Sequence, residues 1–377
     1  MNNQINLIDQ GIEKMNKNEL DTPVAIIDLD VMEKNISEMA EIAKKSGIQL
    51  RPHIKTHKVP EIASMQIKAG ARGITCAKLG EAEVMVDSIG IDDVFIANLI
   101  VGSQKIDRLL KLSEKAKVIV GVDSVEVAQP ISDYAIKQGL KVPVLIKIDV
   151  GLQRLGVPYG KPALELAEKI DKMKGLELEG IYTHEGHAYG VTDNNQIKSI
   201  ALEAGHKMIQ TAEMIREAGI EVKTVSVGST PTVRTSLTIE GITEVRPGAY
   251  VFNDYFEMRL GVSTEYDCAF TIFATVISVP SEDRAVIDAG TKSYTSDKAQ
   301  AFGIYGLIKG MPDVRLVRAY EEHGVINMPE GKLKVGDRIE IIPNHVCPVV
   351  NLFDEVVALR KDKVEAIWKV SARGKLM

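Results

Sequence analysis

Residues 143–182 read PVLIKIDVGLQRLGVPYGKPALELAEKIDKMKGLELEGIY. An apolar run, Pro143-Val-Leu-Ile-Lys-Ile148, comes first. A helical stretch from Lys161 to Lys174 follows and stops at Gly175. A second apolar run, Leu178-Glu-Gly-Ile-Tyr182, closes the passage. The two runs are rich in Val, Ile and Leu and do not alternate strictly, as expected of strands buried on both faces. Glycine is a common helix stop because it takes the left-handed cap conformation without steric cost. The passage therefore reads as strand–helix–strand, the crossover that parallel strands require.

The same texture recurs on both sides. Ala25-Ile-Ile-Asp-Leu29, Gly73-Ile-Thr-Cys-Ala77, Val94-Phe-Ile-Ala97, Val118-Ile-Val-Gly-Val122 and Thr224-Val-Ser-Val-Gly228 read as further strands. Helical patterns run from Val31 to Ser46 and from Gln196 to Ala218. In the first of these, Met32, Ile36, Met39 and Ile42 share one face. Seven or eight such units predict an α/β fold, a (β/α)8 TIM-like barrel over residues 22–260. An open doubly wound sheet is the alternative, but no G-x-G-x-x-G follows the first strand, which weakens its dinucleotide-binding form.

Beyond residue 260 the texture changes. Phe270 to Val279, Arg284 to Asp288, Arg338 to Ile342, Glu355 to Leu359 and Lys363 to Ile367 read as strands with little helix between them. Pro and Gly punctuate them, including Pro280, Gly310, Pro312 and Pro343. A mostly antiparallel β domain over 261–377 is expected, with residues 1–21 packing on it.

The composition narrows the function classes. With 45% hydrophobic and 26% charged residues, the 377-residue chain is neither disordered nor collagen-like nor a coiled coil. A net charge of -6 with no basic run argues against nucleic acid and anionic membranes as partners. Few aromatics (5%) argue against a base-stacking platform. No apolar window is long enough for a membrane span, and Met1 to Glu19 lacks a signal-peptide core. Cys76, Cys268 and Cys347 are too scattered for a disulfide framework, which predicts reduced thiols and a cytoplasmic location.

Chemistry-bearing residues gather at strand ends. Arg51-Pro-His-Ile-Lys-Thr-His-Lys58 follows the apolar Ile48-Gln-Leu50 and precedes a helix opening near Pro60. Barrel catalytic residues collect at that end. On an extended chain Arg51, His53 and Lys55 share a face, and cationic neighbours lower a lysine's pKa until it is a nucleophilic amine suited to a Schiff base. A solvated basic loop is the plainer reading. Val227-Gly-Ser-Thr-Pro-Thr232 offers backbone N–H groups and hydroxyls to a phosphate, or is simply a loop. Thr183-His-Glu-Gly-His-Ala-Tyr189 places His184 and His187 as acid–base candidates, with structural histidines as the commoner explanation. Arg154 and Arg246 each follow a strand, with a surface salt bridge as the default for either. In Pro343-Asn-His-Val-Cys-Pro348, His345 and Cys347 stand two apart and, if extended, face the same way. An imidazole and a thiolate make half of a zinc-type site. With no second pair, such a metal would keep open positions, unless the two are a buried thiol beside a hydrogen-bonded histidine.

In order along the chain, Thr22-Pro-Val-Ala-Ile-Ile-Asp-Leu-Asp30, Arg51-Pro-His-Ile-Lys-Thr-His-Lys58, Gly228-Ser-Thr-Pro-Thr232, Arg246-Pro-Gly248 and Asn344-His-Val-Cys-Pro348 resemble the D-threonine aldolase and D-serine dehydratase family of pyridoxal-phosphate enzymes. The resemblance runs from about residue 20 to 370. It implies the alanine racemase fold (the type III fold of pyridoxal-phosphate enzymes), a barrel followed by a β domain. It further implies that Lys55 carries pyridoxal 5'-phosphate as a Schiff base. Gly228, Ser229, Thr230 and Tyr182 would hold the phosphate, and Arg154 would contact the pyridine ring. His345 and Cys347 would bind a divalent metal (manganese, zinc or magnesium) beside the substrate hydroxyl. His53 and His187 would lie near the substrate. The implied activity is a lyase on D-3-hydroxy amino acids. D-threonine aldolase, giving glycine and acetaldehyde, is favoured. D-serine dehydratase, giving pyruvate and ammonia, is the alternative, and an amino-acid racemase a more distant one. Family precedent implies a homodimer.

Overall fold

The computed structural model describes residues 15–377. In chain order, β1 (Val24–Asp28) leads into helix α1 (Leu29–Ser46), and strand and helix then alternate: β2 (Gln49–Leu50), α2 (Pro60–Lys68), β3 (Ile74–Cys76), α3 (Leu79–Ile89), β4 (Asp93–Leu99), α4 (Ser103–Ser113), β5 (Lys117–Val122), α5 (Val125–Lys137), β6 (Val142–Asp149), β7 (Val157–Pro158), α6 (Lys161–Asp171), β8 (Leu176–Tyr182), α7 (Asn194–Glu217), β9 (Thr224–Val227) and β10 (Glu244–Val245). From there the chain is mostly strand: β11 (Phe270–Ser281), β12 (Arg284–Ile287), β13 (Gly306–Ile308), β14 (Arg315–Ala319), β15 (Gly324–Asn327), β16 (Arg338–Pro343), β17 (Glu355–Arg360) and β18 (Lys363–Lys369). The chain divides into two compact units. One holds the described residues up to 36 with 56–59 and 249–373; the other holds 37–55, 60–248 and 374–377.

In the second of these units the strands run in the order β2-β10-β9-β8-β6-β5-β4-β3, all parallel. A parallel bridge between His53 and Thr75 joins the two ends of that row. The Thr75 N–H donates to Pro52 O at 2.8 Å and the Arg72 N–H to Leu50 O at 2.9 Å, continuing the seam. Strands β5, β6, β8 and β9 are buried along almost their whole length because helices cover the outer face and side chains fill the inner one. Inside, Tyr182 packs with Phe95, Ile119 and Leu145. The close approach there requires a glycine: a Cβ on Gly121 would lie 2.1 Å from the Tyr182 hydroxyl.

Ala25–Leu29, expected as the first barrel strand, is not one. β1 pairs antiparallel with β11 and parallel with β17 in the other unit. An apolar run buried on both faces looks the same in either sheet, so composition could not assign it. The parallel row is completed instead by β2 and β10, each two residues long.

The other unit carries β12-β15-β14-β13-β16-β11-β1-β17-β18, and an added β11–β12 pairing closes its first six strands into a barrel. Every pairing is antiparallel except β1 with β17. Pro280 lies where the register of β11 against β12 shifts, the kind of position a strand proline tolerates. Of the N-terminal segment, residues 1–14 lie outside the described residues. Beyond them, Met15 O accepts the Val364 N–H at 3.0 Å, and Lys17 Nζ reaches Glu340 at 2.8 Å and Asp362 at 2.6 Å. No helix among the described residues is long and apolar enough to cross a membrane.

Candidate active site

Beyond β2 the backbone still pairs with its neighbours, the Arg51 N–H with Val245 O at 3.0 Å and the His53 N–H with Pro247 O at 2.9 Å. Arg51 turns inward, 1% exposed, and its guanidinium donates to Glu244 at 2.8 Å and Asp93 at 2.6 Å. The extended spacing that would put Lys55 on one face with Arg51 and His53 does not hold, because the chain leaves the extended conformation before it. Lys55 lies in the 3-10 turn Ile54–Thr56. Its Nζ makes no hydrogen bond or ion pair among the described residues. Its backbone N–H donates to His53 Nδ1 at 3.4 Å.

Around that turn the barrel collects positive charge. Lys147, on β6, is 6% exposed, and its Nζ lies 4.6 Å from the centre of the Tyr182 ring. Arg246 lies over the same ring at 5.4 Å and donates to Thr183 O and Ser226 Oγ. Burial, with the charges of Arg246 and Arg154, pushes the Lys147 amine well below the ordinary lysine value. Burial and the nearby Lys55 likewise hold His53 and His184 well below the ordinary histidine value, so both imidazoles are neutral. Burial even lowers the Arg246 pKa. Opposing carboxylates are few, and some are already committed: Asp149 accepts the Gly151 and Gln153 N–H groups at 3.0 and 3.1 Å. Arg154 is exposed and has no side-chain hydrogen bond among the described residues.

The turn after β9 faces the same region. Gly228 has φ +114°, and a Cβ there would meet the Arg246 backbone nitrogen at 3.0 Å, so only glycine fits without strain. Ser229 and Thr230 are each 3% exposed. His184 Nδ1 lies 3.4 Å from Gly228 O. Glu185, wholly buried, accepts the Gly228 N–H at 3.2 Å and the Thr232 hydroxyl at 2.5 Å. The Tyr182 hydroxyl donates to Ala97 O at 2.8 Å, inside the barrel. His187 has a buried Nδ1 without a hydrogen-bond partner and a ring 3.5 Å from where a Gly151 Cβ would stand. The Lys55 amine without an ion pair, an excess of cations and a glycine-shaped turn fit a group carrying both an aldehyde and a phosphate dianion.

In the other unit, the extended geometry expected of His345 and Cys347 is not what forms. His345 is the N-cap of a short helix, Val346–Val350, and Cys347 is that helix's second residue. Residues Asn344 and His345 are held by the chain around them. Asp254 is buried and accepts the Val346 N–H at 2.8 Å, while Asn344 Nδ2 donates to Ile304 O at 2.7 Å. His345 Nδ1 lies 2.6 Å from Asp297 and Cys347 Sγ 3.3 Å from the Thr56 hydroxyl. Burial alone would lower the His345 pKa, but its hydrogen bond to Cys347, the charges of Cys347 and Asp254, and the bond to Asp297 raise it to about 10. Among the described residues no group of three or more His, Cys, Asp or Glu side chains is set to hold a metal ion. An imidazole and a thiol are donor types that a zinc-like cation takes, and two of them fall short of a closed structural set. Cys76 and Cys268 are free and buried, and burial raises both thiols.

Residues 27–255 match the alanine racemase N-terminal domain, and residues 269–359 match a putative serine dehydratase domain. The chain belongs to the alanine racemase-like family of D-threonine aldolases and D-serine dehydratases. These are pyridoxal-phosphate-dependent lyases. Similar members include the D-threonine aldolase of Arthrobacter sp., 33% identical over 94% of this chain and 93% of the relative. The D-threo-3-hydroxyaspartate dehydratase of Delftia sp. is 35% identical over 93% of this chain and 97% of the relative. Solved structures of the enzyme so named include a cysteine-to-alanine variant in a metal-free form. The crystal structure of D-threonine aldolase from Filomicrobium marinum superposes with a TM-score of 0.91 at 34% identity, covering 96% of this chain and 98% of that one.

Sequence reasoning passed over Glu185 and Lys147 as site residues, although both lay in quoted stretches. The available signal was a single charge inside an otherwise apolar strand or at its end, because such a charge is costly to bury.

Proposed function

We propose that this protein is a pyridoxal-phosphate lyase acting on D-3-hydroxy amino acids, with cleavage of D-threonine to glycine and acetaldehyde as its reaction. The observation that carries the reading is the barrel's cation cluster, Lys55, Lys147, Arg154 and Arg246, none of them in an ion pair among the described residues, beside the Gly228 turn. Bound pyridoxal phosphate supplies an electron sink that weakens every bond to the Cα of an amino acid attached to it. Lys55 contributes the amine that carries the cofactor and takes it back at the end of each turnover. Gly228, Ser229 and Thr230 hold the phosphate, and Arg154 orients the ring.

For cleavage, a neutral imidazole is needed near the substrate's β-hydroxyl. His187 is the proposed base: its unpartnered Nδ1 is free to accept that proton as the Cα–Cβ bond breaks and the aldehyde leaves. Cα then takes a proton to give glycine. His53, held neutral, accepts the Lys55 N–H and fixes that turn. His345 and Cys347 are proposed to hold a divalent metal, which supplies Lewis acidity to the hydroxyl. The metal-free form named for a relative supports this. A homodimer in the cytoplasm completes the proposal; the family likeness supports it.

Dehydration is the second reading, and one observation favours it: the thiol at 347, a soft ligand that suits zinc. There Lys55 removes the Cα proton and the hydroxyl leaves as water. Incubation with D-threonine and with D-serine, with and without a chelator, separates the two. Glycine from D-threonine, lost on chelation, is the expected result. A 2-oxo acid from D-serine without glycine would replace the aldolase by the dehydratase. Full activity in chelator would remove the metal.

A further inference from the structure

Glu185 does something no cation in the barrel can do. It is 0% exposed, and its two carboxylate oxygens are divided between the ends of one turn. Oε2 accepts the Gly228 N–H at 3.2 Å and Oε1 accepts the Thr232 hydroxyl at 2.5 Å. The Thr232 oxygen in turn accepts the Ser229 N–H at 3.2 Å and lies 2.9 Å from the Ser229 hydroxyl. A single carboxylate therefore fixes the first, second and fifth residues of the stretch Gly228–Thr232. The turn begins with a positive φ at Gly228 and ends where the Val233 N–H reaches back to Ser229 O at 3.1 Å, so Glu185 supplies the tie at its start.

A buried carboxylate beside a proposed phosphate site is otherwise unexpected, because it repels the anion. Its charge acts on Lys147 and Arg246 against the burial that lowers both their pKa values. We propose that Glu185 is a positioning residue that shapes the Gly228–Thr232 turn for a phosphate monoester while making no contact with it. The inference rests on the cofactor reading above and names the residue that makes its phosphate subsite specific. With the Gly228 and Ser229 N–H groups engaged inside the turn, Glu185 acts on the anion through the turn's shape.

Two contributions oppose each other, and their balance is measurable. Removing the negative charge strengthens anion binding; replacing one carboxylate oxygen by an amide NH2 leaves either the buried N–H or the hydroxyl without its acceptor and lets the turn relax. The brace dominates, because both bonds are short enough to count and are shielded from water.

The test uses the full chain stripped of cofactor with hydroxylamine, and equilibrium dialysis against pyridoxal 5'-phosphate and against pyridoxal, which lacks the phosphate. Glu185→Gln should raise the Kd for pyridoxal phosphate by about tenfold or more, the effect of losing a charge-assisted bond. The Kd for pyridoxal should stay within about twofold. Thr232→Val, which removes the hydroxyl through which Glu185 acts, should reproduce the loss, and the double variant should lose no more than either alone. Unchanged or tighter binding of pyridoxal phosphate in Glu185→Gln overturns the inference. So does an equal loss for both ligands, the signature of general damage to the fold. If Glu185→Gln does not fold, the Thr232→Val contrast between the two ligands decides alone. A wild-type protein that binds neither ligand would refute the cofactor reading, and this inference with it.

Discussion

Arg51 and Lys147 are both buried cations of the barrel unit, 1% and 6% exposed, and only one of them has its charge answered. Arg51 meets Glu244 and Asp93 at hydrogen-bond distance, and Glu244 is itself supported by the Ser226 hydroxyl at 2.6 Å. Burial would raise the Glu244 pKa, but Arg51 holds it below the usual carboxylate value, and the Arg51 pKa is raised in return. Lys147 has an aromatic face, like-charged neighbours and no ion pair among the described residues, with Glu185 and Asp149 acting on it only from a distance. The first cluster pairs its charges and ties strands together, with the Arg51 Nη2 left without a hydrogen-bond partner among the described residues. The second is incomplete without an anion, and that is how a structural charge differs from one kept for a ligand.

Breaking the paired cluster should cost most. Arg51→Ala leaves Glu244 buried without its partner, and a loss of about 3–5 kcal/mol in unfolding free energy is expected by urea denaturation. A loss under about 1 kcal/mol would mean that Arg51 is not a structural tie. The open cluster should respond with the opposite sign. Lys147→Met removes a poorly solvated amine, so the cofactor-free protein should gain on the order of 1 kcal/mol in thermal unfolding, while affinity for pyridoxal phosphate falls. Destabilisation of the cofactor-free protein by Lys147→Met would erase the contrast.

The smallest effect is a pH dependence. His53 and His184 have folded pKa values well below the ordinary 6.5, so below that pH the unfolded chain binds protons that the folded one does not. Their contribution to stability is full above 6.5 and is lost as the pH falls from there toward the folded values. The melting temperature of the cofactor-free protein should drop between roughly pH 7 and pH 5, and less so in His53→Asn. Identical profiles for the variant and the wild type would remove His53 from the cluster.

Much of this was legible before any coordinates. Val- and Ile-rich runs such as Val118–Val122 and Pro143–Ile148 announced buried parallel strands because burial on both faces leaves no polar positions. β10 escaped because two residues, one of them Glu244, carry no periodic signal. The short strands β13, β14 and β15 escaped for a related reason, being three to five residues long among glycines and prolines. Lys55 and the Gly228 turn stood out because polar clusters at strand ends are informative. Arg51, in the same cluster as Lys55, was grouped with it by spacing alone; its real partners are 42 and 193 residues away, beyond what spacing can reveal. Glu185 was hidden for the same reason, its partners lying 43 and 47 residues on. His345 and Cys347 do lie together, but two-residue spacing could not tell an extended strand from a helix cap.

The central claim is that the barrel's unpaired lysine at position 55 carries pyridoxal phosphate, and the neighbouring Lys147 makes this a sharp question. Borohydride reduction of the cofactor-loaded protein, followed by peptide mass spectrometry, fixes the cofactor to whichever amine holds it. The account predicts one phosphopyridoxyl group per chain, on Lys55. A label on Lys147, or no label on either lysine, would contradict it.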